Sequence, residues 1–135
     1  MHMTIEDIAE TFELLGEWEE RYGYLIELGR KLPPLAEGER SEATKVRGCM
    51  SQVWLVGGAQ GDGLMHFNGD SDSTLVKGLI ALLMVMVNGK APSEILATDI
   101  AASFKQLGLE SHITVNRRNG FFSMVERIRA LSAAA

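Results

Sequence analysis

Cysteine, proline and long apolar runs are scarce in this sequence of 135 residues. The one cysteine, Cys49, cannot form an internal disulfide, so the composition gives no indication of an oxidising compartment. The longest apolar stretch, residues 79–87, is less than half of the ~20 residues that span a bilayer. The N-terminus turns acidic at once and lacks the basic start and apolar core of a signal peptide. We therefore expect a cytoplasmic protein without a membrane segment.

Positive charge is also in short supply, since 13 Lys and Arg residues face 18 Asp and Glu residues and the net charge is −5. This balance argues against nucleic acid or an anionic membrane as the main partner and favours a protein or a small molecule. Hydrophobic residues make up 46% of the chain, which is enough for a core. The length predicts a single domain over residues 1–135.

The first part of the chain has the pattern of two helices. Thr4 and Asp7 resemble a variant capping box ahead of apolar residues at helical spacing, which predicts a first helix ending near Gly16. A second helix is expected to begin near Trp18 and to stop at Gly29, with two prolines beyond it. The charged segment that follows, residues 36–45, is predicted to be a surface loop.

The middle of the chain predicts a hairpin followed by a buried helix. The segments SQVWLV and LMHFNG flank GGAQGDG, residues 57–63, whose glycines suit a turn. Ser71 or Asp72 is expected to cap the next helix, which is apolar around nearly its whole circumference and so belongs in the centre. Short helices opened by Pro92 and Asp99 and a last helix follow. The fold class is therefore α+β, a small antiparallel β-sheet packed against several α-helices.

Cys49 lies in the stretch VRGCMSQVW, between a polar loop and an apolar strand. A lone cysteine in such a place is commonly a buried and inert residue. However, Gly48 lets the backbone bend sharply, and the cations Lys45 and Arg47 favour the nucleophilic thiolate. Spacing alone leaves both interpretations open.

The other chemical candidates are weaker. His2, His66 and His112 are scattered, and an iron–sulfur cluster normally needs about four thiolates, so we expect no metal site. Arg117 and Arg118 stand at a helix start, where the helix dipole disfavours cations. Charges in this position suggest a role in contact with another group.

Four segments in order, WEERYGYLIELGRKLPPL, VRGCMSQVWLV, GDSDSTLVKGLIALL and ITVNRRNGFFSMVERIRAL, resemble the SufE family of sulfur-acceptor proteins. The resemblance runs from about Trp18 to Leu131. It implies a fold similar to that of iron–sulfur scaffold proteins. It also implies a function: taking sulfur from a pyridoxal-phosphate cysteine desulfurase, stimulating that enzyme and passing the sulfur towards cluster assembly.

The resemblance also implies site residues. Cys49 matches the family's persulfide-forming cysteine, Asp72 the second aspartate of G-D-S-D, and Arg117 the arginine of T-P-S-R. Here that last segment reads T-V-N-R, so Val115 replaces a proline and the entry to the last helix is less fixed. With their neighbours, these residues form the predicted partner-binding set: Arg47, Gly48, Asp72, Arg117 and Arg118.

The implied partner is a SufS-like or CsdA-like cysteine desulfurase, and a downstream iron–sulfur scaffold is a further candidate. The protein is then a carrier and not an enzyme, with no cofactor of its own, because the pyridoxal phosphate resides in the desulfurase. The alternative is a small thiol enzyme in which Cys49 is the nucleophile and His66 or His112 is the base. The sequence offers no third orienting group for that arrangement.

Overall fold

The computed structural model describes residues 3–48 and 51–135. Within these ranges the chain forms two strands and a set of helices. In chain order they are α1 (Ile5–Leu15), α2 (Trp18–Arg30), β1 (Val53–Ala59), β2 (Met65–Ser71), α3 (Thr74–Val87), α4 (Pro92–Ala97), α5 (Ile100–Gln106), a 3-10 turn (Leu109–Ser111) and α6 (Val115–Ala133). The two strands pair antiparallel and helices pack around them, which confirms the predicted α+β class.

Helix α3 is the centre of the core. It packs against α2 on one side and against β2 on another, and α6 also contacts it. Its apolar side chains surround the helix axis, so each of these neighbours covers a different part of its surface. Leu79, Ile80, Leu82 and Leu83 are fully buried, as the sequence predicts for a helix that is apolar nearly all round.

Glycines allow α2 and α3 to approach closely. A Cβ atom at Gly29 would lie 2.7 Å from the backbone nitrogen of Gly78, and one at Gly78 would lie 2.5 Å from the carbonyl oxygen of Leu25. The predicted helix stop at Gly29 lies one residue before the observed end at Arg30, and Gly29 itself is buried against α3. The glycine is required by a tertiary contact that the local sequence does not reveal.

The hairpin is confirmed, but its turn is shorter than the sequence predicts. The pairing runs from Val53 opposite Ser71 to Ala59 opposite Met65, so the first glycines of GGAQGDG belong to β1. The amide of Gln60 donates to the carbonyl of Leu64 at 3.0 Å and closes the turn. Val53 and Leu55 of β1 and Met65 and Phe67 of β2 are buried, and they alternate with less buried neighbours.

Several predicted helix ends are confirmed. Thr4 and Asp7 form the capping box of α1, and the Asp99 carboxylate accepts from the Ala102 amide at 3.0 Å at the start of α5. The prediction for α3 is wrong, because its N-cap is Ser73, whose hydroxyl accepts from the Val76 amide at 3.3 Å. No helix in the described ranges combines the length and the apolar composition needed to cross a membrane.

Candidate functional site

Cys49 and Met50 lie outside the described residues, so the predicted thiol site is built from what flanks it. On one side Gly48 has a φ of 87°, in the left-handed region that favours glycine. A Cβ atom there would also lie 3.0 Å from the Ser123 hydroxyl of α6. Arg47 pairs with Glu42 at 3.2 Å, and both side chains are more than three-quarters exposed.

An open pocket of about 260 Å³ lies on the other side, where the chain resumes at Ser51. It is formed between the start of β1, the first turns of α3 and the start of α6. Val53 and Val76 are buried and supply its apolar part. Its polar part comes from Ser51 together with Thr114, Asn116 and Arg117. The pocket therefore combines an apolar surface with the amino end of a long helix, to which Arg117 belongs.

Asp72 binds the backbone next to this pocket. Its carboxylate Oδ1 accepts from the Gln52 amide at 3.0 Å, and its own amide donates to the Gln52 carbonyl at 3.3 Å. The expectation that Asp72 caps α3 is wrong, because its side chain binds the residue that precedes β1 and Ser73 caps the helix. Asp72 thus fixes the chain three residues after Cys49.

Arg117 and Arg118 point to different surroundings. Arg117 is one of the residues that line the pocket, and within the described residues its guanidinium has no hydrogen bond or ion pair. Arg118 donates from Nη1 to the Glu110 carbonyl at 2.8 Å and is not part of the pocket lining. Helix α6 begins at Val115, and the Thr114 hydroxyl caps it by accepting from the Arg117 amide at 3.2 Å. The start of α6 is therefore fixed although the family's proline is missing.

The chain before Cys49 is held along β1. We call residues 36–48 the incoming arm. The Val46 amide donates to the Val53 carbonyl at 2.8 Å, and the Leu55 amide donates to the Thr44 carbonyl at 2.9 Å. From α6, Arg127 donates to the Ala43 carbonyl at 2.6 Å. The sequence predicts only a surface loop here, because the segment is charged and has no strand-like alternation.

The first aspartate of the G-D-S-D motif, Asp70, is only 9% exposed and binds two cationic side chains. Arg40 of the incoming arm donates to its Oδ2 from Nε at 2.9 Å and also from Nη2, and Lys77 of α3 lies 3.4 Å from Oδ1. Burial by itself would raise the pKa of Asp70, but the hydrogen bonds from Arg40 and the Ser71 amide and the nearby charges outweigh it and hold this pKa below its usual value. Sequence reasoning missed this cluster, because Arg40 and Asp70 are far apart along the chain.

The two described histidines are bound elsewhere. His66 Nε2 lies 3.2 Å from the Asp62 carboxylate near the hairpin turn. His112 stacks on Trp18, with ring centroids 3.9 Å apart, and its Nδ1 lies 2.8 Å from the Gly108 carbonyl. Neither lines the pocket next to Ser51. In the part of the chain that the structure describes, no three His, Cys, Asp or Glu side chains are grouped so that they could hold a metal ion.

Comparison with known proteins decides the family. The model of SufE, described as an Fe-S metabolism associated domain, matches residues 6–132. The chain belongs to the SufE family. An uncharacterized SufE-like protein of Rhizobium etli is 46% identical over 129 residues, which cover 93% of this chain and 87% of the relative. Another from Rhizobium meliloti is 43% identical over 130 residues, covering 94% and 93%.

A solved structure shares the fold of this SufE-family chain. The solution structure of a hypothetical protein from Thermus thermophilus aligns over 98% of both chains with a TM-score of 0.79 and 24% sequence identity. At that identity the likeness concerns the fold alone. SufE-family membership associates the chain with iron–sulfur metabolism and sulfur transfer, with a cysteine desulfurase as the class of partner.

Two of the predicted partner-binding residues, Asp72 and Arg117, lie beside the pocket next to Ser51. Asp72 is joined to Gln52, and Ser51 and Arg117 line the same pocket, so the motif residues surround the point where the chain continues from Cys49. Arg47, Gly48 and Arg118 do not line this pocket: Arg47 pairs with Glu42, Gly48 lies next to Ser123, and Arg118 binds the Glu110 carbonyl. These positions remain predictions as functional residues.

Proposed function

We propose that this protein is a sulfur carrier, which accepts persulfide sulfur from a cysteine desulfurase on Cys49 and passes it on for iron–sulfur cluster assembly. One observation carries the proposal: the SufE-family match spans the only cysteine of the chain, which stands in the motif G-C-x-S-x-V-W. The cytoplasm, where thiols stay reduced, remains the predicted compartment.

The transfer is an exchange between sulfur atoms. The Cys49 thiolate attacks the terminal sulfur of the desulfurase persulfide, a new sulfur–sulfur bond forms, and the donor cysteine leaves as a thiolate. Cys49 then holds the persulfide until a nucleophile of the next acceptor attacks its terminal sulfur. The chain needs no cofactor for this step, since the pyridoxal phosphate that frees sulfur from cysteine belongs to the desulfurase.

A single thiol suits this carrier role. A second nearby thiol would attack the loaded persulfide and discharge it, and the sequence offers none. Ser51 is two residues from Cys49, and two peptide units span at most about 7 Å, so the pocket is within reach of the thiol. Its apolar part, Val53 and Val76, is a suitable surface for a sulfur that must be kept from reductants.

The Cys49→Ser variant tests the covalent route. It should fold as the unaltered protein does, accept no sulfur and lose its stimulation of the desulfurase, because the attacking thiolate is gone. The measurements are its melting temperature and the rate of alanine production by the desulfurase with and without it. Stimulation equal to that of the unaltered protein would contradict a covalent relay.

We further propose that Arg117 contacts an acidic patch of the desulfurase. Arg117 lines the pocket, and its guanidinium has no ion pair among the described residues, so it is available to a partner. A guanidinium binds a carboxylate through two directional hydrogen bonds, which lysine would reproduce poorly. Charge contacts at the edge of an interface mainly affect association rate and salt dependence. Arg117→Ala should therefore weaken desulfurase binding by about fivefold at low salt and less at high salt.

Arg118→Ala is the matched control for Arg117. It removes the same charge one position along the same helix, but its guanidinium is bound to the Glu110 carbonyl. We expect a smaller change in desulfurase affinity and a fall in melting temperature. Equal affinity losses in the two variants, or none for Arg117→Ala at low salt, would refute the specific contact.

The alternative function, a thiol enzyme with a histidine base, is weaker in the structure. His66 and His112 are engaged with Asp62 and with Trp18 and Gly108, and neither lines the pocket. Replacing either histidine with alanine should leave sulfur acceptance unchanged. A sulfur-transfer rate that decreases as one of these histidines becomes protonated would favour the thiol enzyme.

A further inference from the structure

Asp70 connects the incoming arm to the body of the protein. Its carboxylate is in β2 and nearly buried, and its two cationic partners come from different elements. Arg40 belongs to the incoming arm, nine residues before Cys49, whereas Lys77 belongs to α3. One carboxylate is therefore shared between a fixed helix and the segment that leads to the thiol.

The two halves of the incoming arm are held differently. Residues 43–46 bind to β1 and to Arg127 through backbone hydrogen bonds. The described hydrogen bonds and ion pairs of residues 36–42 stay within the arm, except for those of Arg40. The Arg40 guanidinium also lies 5.9 Å from the centre of the Trp54 ring in β1. This side chain is thus the polar tether of the first half of the arm.

We propose that Arg40 and Asp70 form a releasable latch that positions the incoming arm and thereby controls how readily the thiol is presented to a desulfurase. The inference rests on the proposed carrier function. Both are positioning residues, because neither lines the pocket that flanks the thiol segment.

The second cation makes release feasible. When a buried carboxylate loses its only partner, the folded protein is strongly destabilised, because the negative charge is left uncompensated. When Arg40 moves away from Asp70, Lys77 and the Ser71 amide, which donates to Oδ1 at 2.8 Å, still compensate the carboxylate. The Arg40 side chain is also about half exposed, so water can replace its hydrogen bonds. The latch can therefore open without leaving a charge unpaired in the interior.

Two glutamine variants test this role in the protein alone. Arg40→Gln removes the cation on the arm, and Lys77→Gln removes the cation on α3, so each deprives Asp70 of one ion pair. We expect each to lower the melting temperature by a few degrees. Arg40→Gln should raise the rate of Cys49 alkylation by iodoacetamide about fivefold, the factor that corresponds to the free energy of a partly exposed ion pair. Lys77→Gln should leave this rate near that of the unaltered protein.

A simple structural role predicts a different result. If the variants acted only by loosening the fold, alkylation would rise with the loss of stability and would be the same in both. Equal alkylation rates in the two variants, or an unchanged rate in Arg40→Gln, would overturn the latch. Asp70→Asn alone should raise the alkylation rate as Arg40→Gln does, and the double variant should react no faster than either. Increases that multiply in the double variant would show that Arg40 acts without Asp70 and would overturn the latch.

The alkylation assay contains no desulfurase, so it separates the latch from the carrier function. Incubation of the unaltered protein with a desulfurase and cysteine tests the carrier function by itself. Absence of sulfur on Cys49 in that incubation contradicts the proposed function, and the comparison of the glutamine variants decides the latch.

Discussion

Replacing Gly78 with alanine should separate the two helices that form the centre of the core. The added Cβ atom would lie 2.5 Å from the Leu25 carbonyl oxygen and 2.7 Å from its carbon, whereas ordinary contacts begin near 3.4 Å. Because both obstacles are backbone atoms, they cannot rotate away as a flexible side chain would. Relief of the overlap requires α2 and α3 to move apart by about 1 Å.

The expected loss follows from two opposing effects. Overpacking of this kind costs about 1–3 kcal/mol, and loss of close contacts between the helices adds to that. Alanine recovers up to about 1 kcal/mol, because it is a better helix former than glycine. We expect a net loss of about 1–2 kcal/mol in the free energy of unfolding, which for a chain of this size lowers the melting temperature by about 4–8 °C.

Gly23→Ala in α2 is the matched control. A Cβ atom at Gly23 would meet nothing within 4 Å, and the residue is exposed in the same helix that Gly78 contacts. The same substitution should therefore stabilise by about 0.5–1 kcal/mol through helix propensity alone. Thermal unfolding followed by circular dichroism compares both variants with the unaltered protein. A Gly78→Ala protein at least as stable as the unaltered one would refute the close-packing argument.

Further predictions concern the two aspartates of the motif. Ser73→Ala should lower the free energy of unfolding by about 1 kcal/mol, because α3 loses its cap. Asp72→Ala should lower it by about 0.5–1 kcal/mol through loss of the hydrogen bond to Gln52, while α3 stays intact. A loss of helical circular dichroism that is larger in Asp72→Ala than in Ser73→Ala would show that Asp72 is the cap. Burial opposes ionisation of Asp70, yet Arg40 and its other partners hold its pKa below the usual 3.8, so its stabilising contribution is complete above that pH and disappears as the pH falls through the lower value. Acid titration should therefore destabilise the unaltered protein more than Asp70→Asn, and parallel acid profiles would contradict this assignment.

Local signals in the sequence predicted those parts of the fold that depend on neighbouring residues. The Thr4 and Asp7 capping box, the cap at Asp99 and the glycine-rich hairpin each involve residues a few positions apart, and all three are present. The apolar circumference of α3 correctly indicated a central helix, because only a buried helix can be apolar on every side.

The errors and omissions come from contacts between distant segments. Gly29 looks like a helix stop, but its lack of a side chain serves the approach of α3. Asp72 looks like a cap, but it binds the amide of Gln52, which precedes β1 and lies 20 residues away along the chain. The attachment of the incoming arm to β1 and to Asp70 is equally invisible along the chain, since no periodicity records which backbone groups meet across a fold.

The most direct test of the carrier function is mass spectrometry of this protein after incubation with a cysteine desulfurase and cysteine. We expect a mass increase of one sulfur atom on the peptide that contains Cys49, reversed by a reductant and absent from Cys49→Ser. The increase should decline when an acceptor nucleophile is added. An unmodified Cys49 peptide under conditions in which the desulfurase carries its own persulfide would contradict the account.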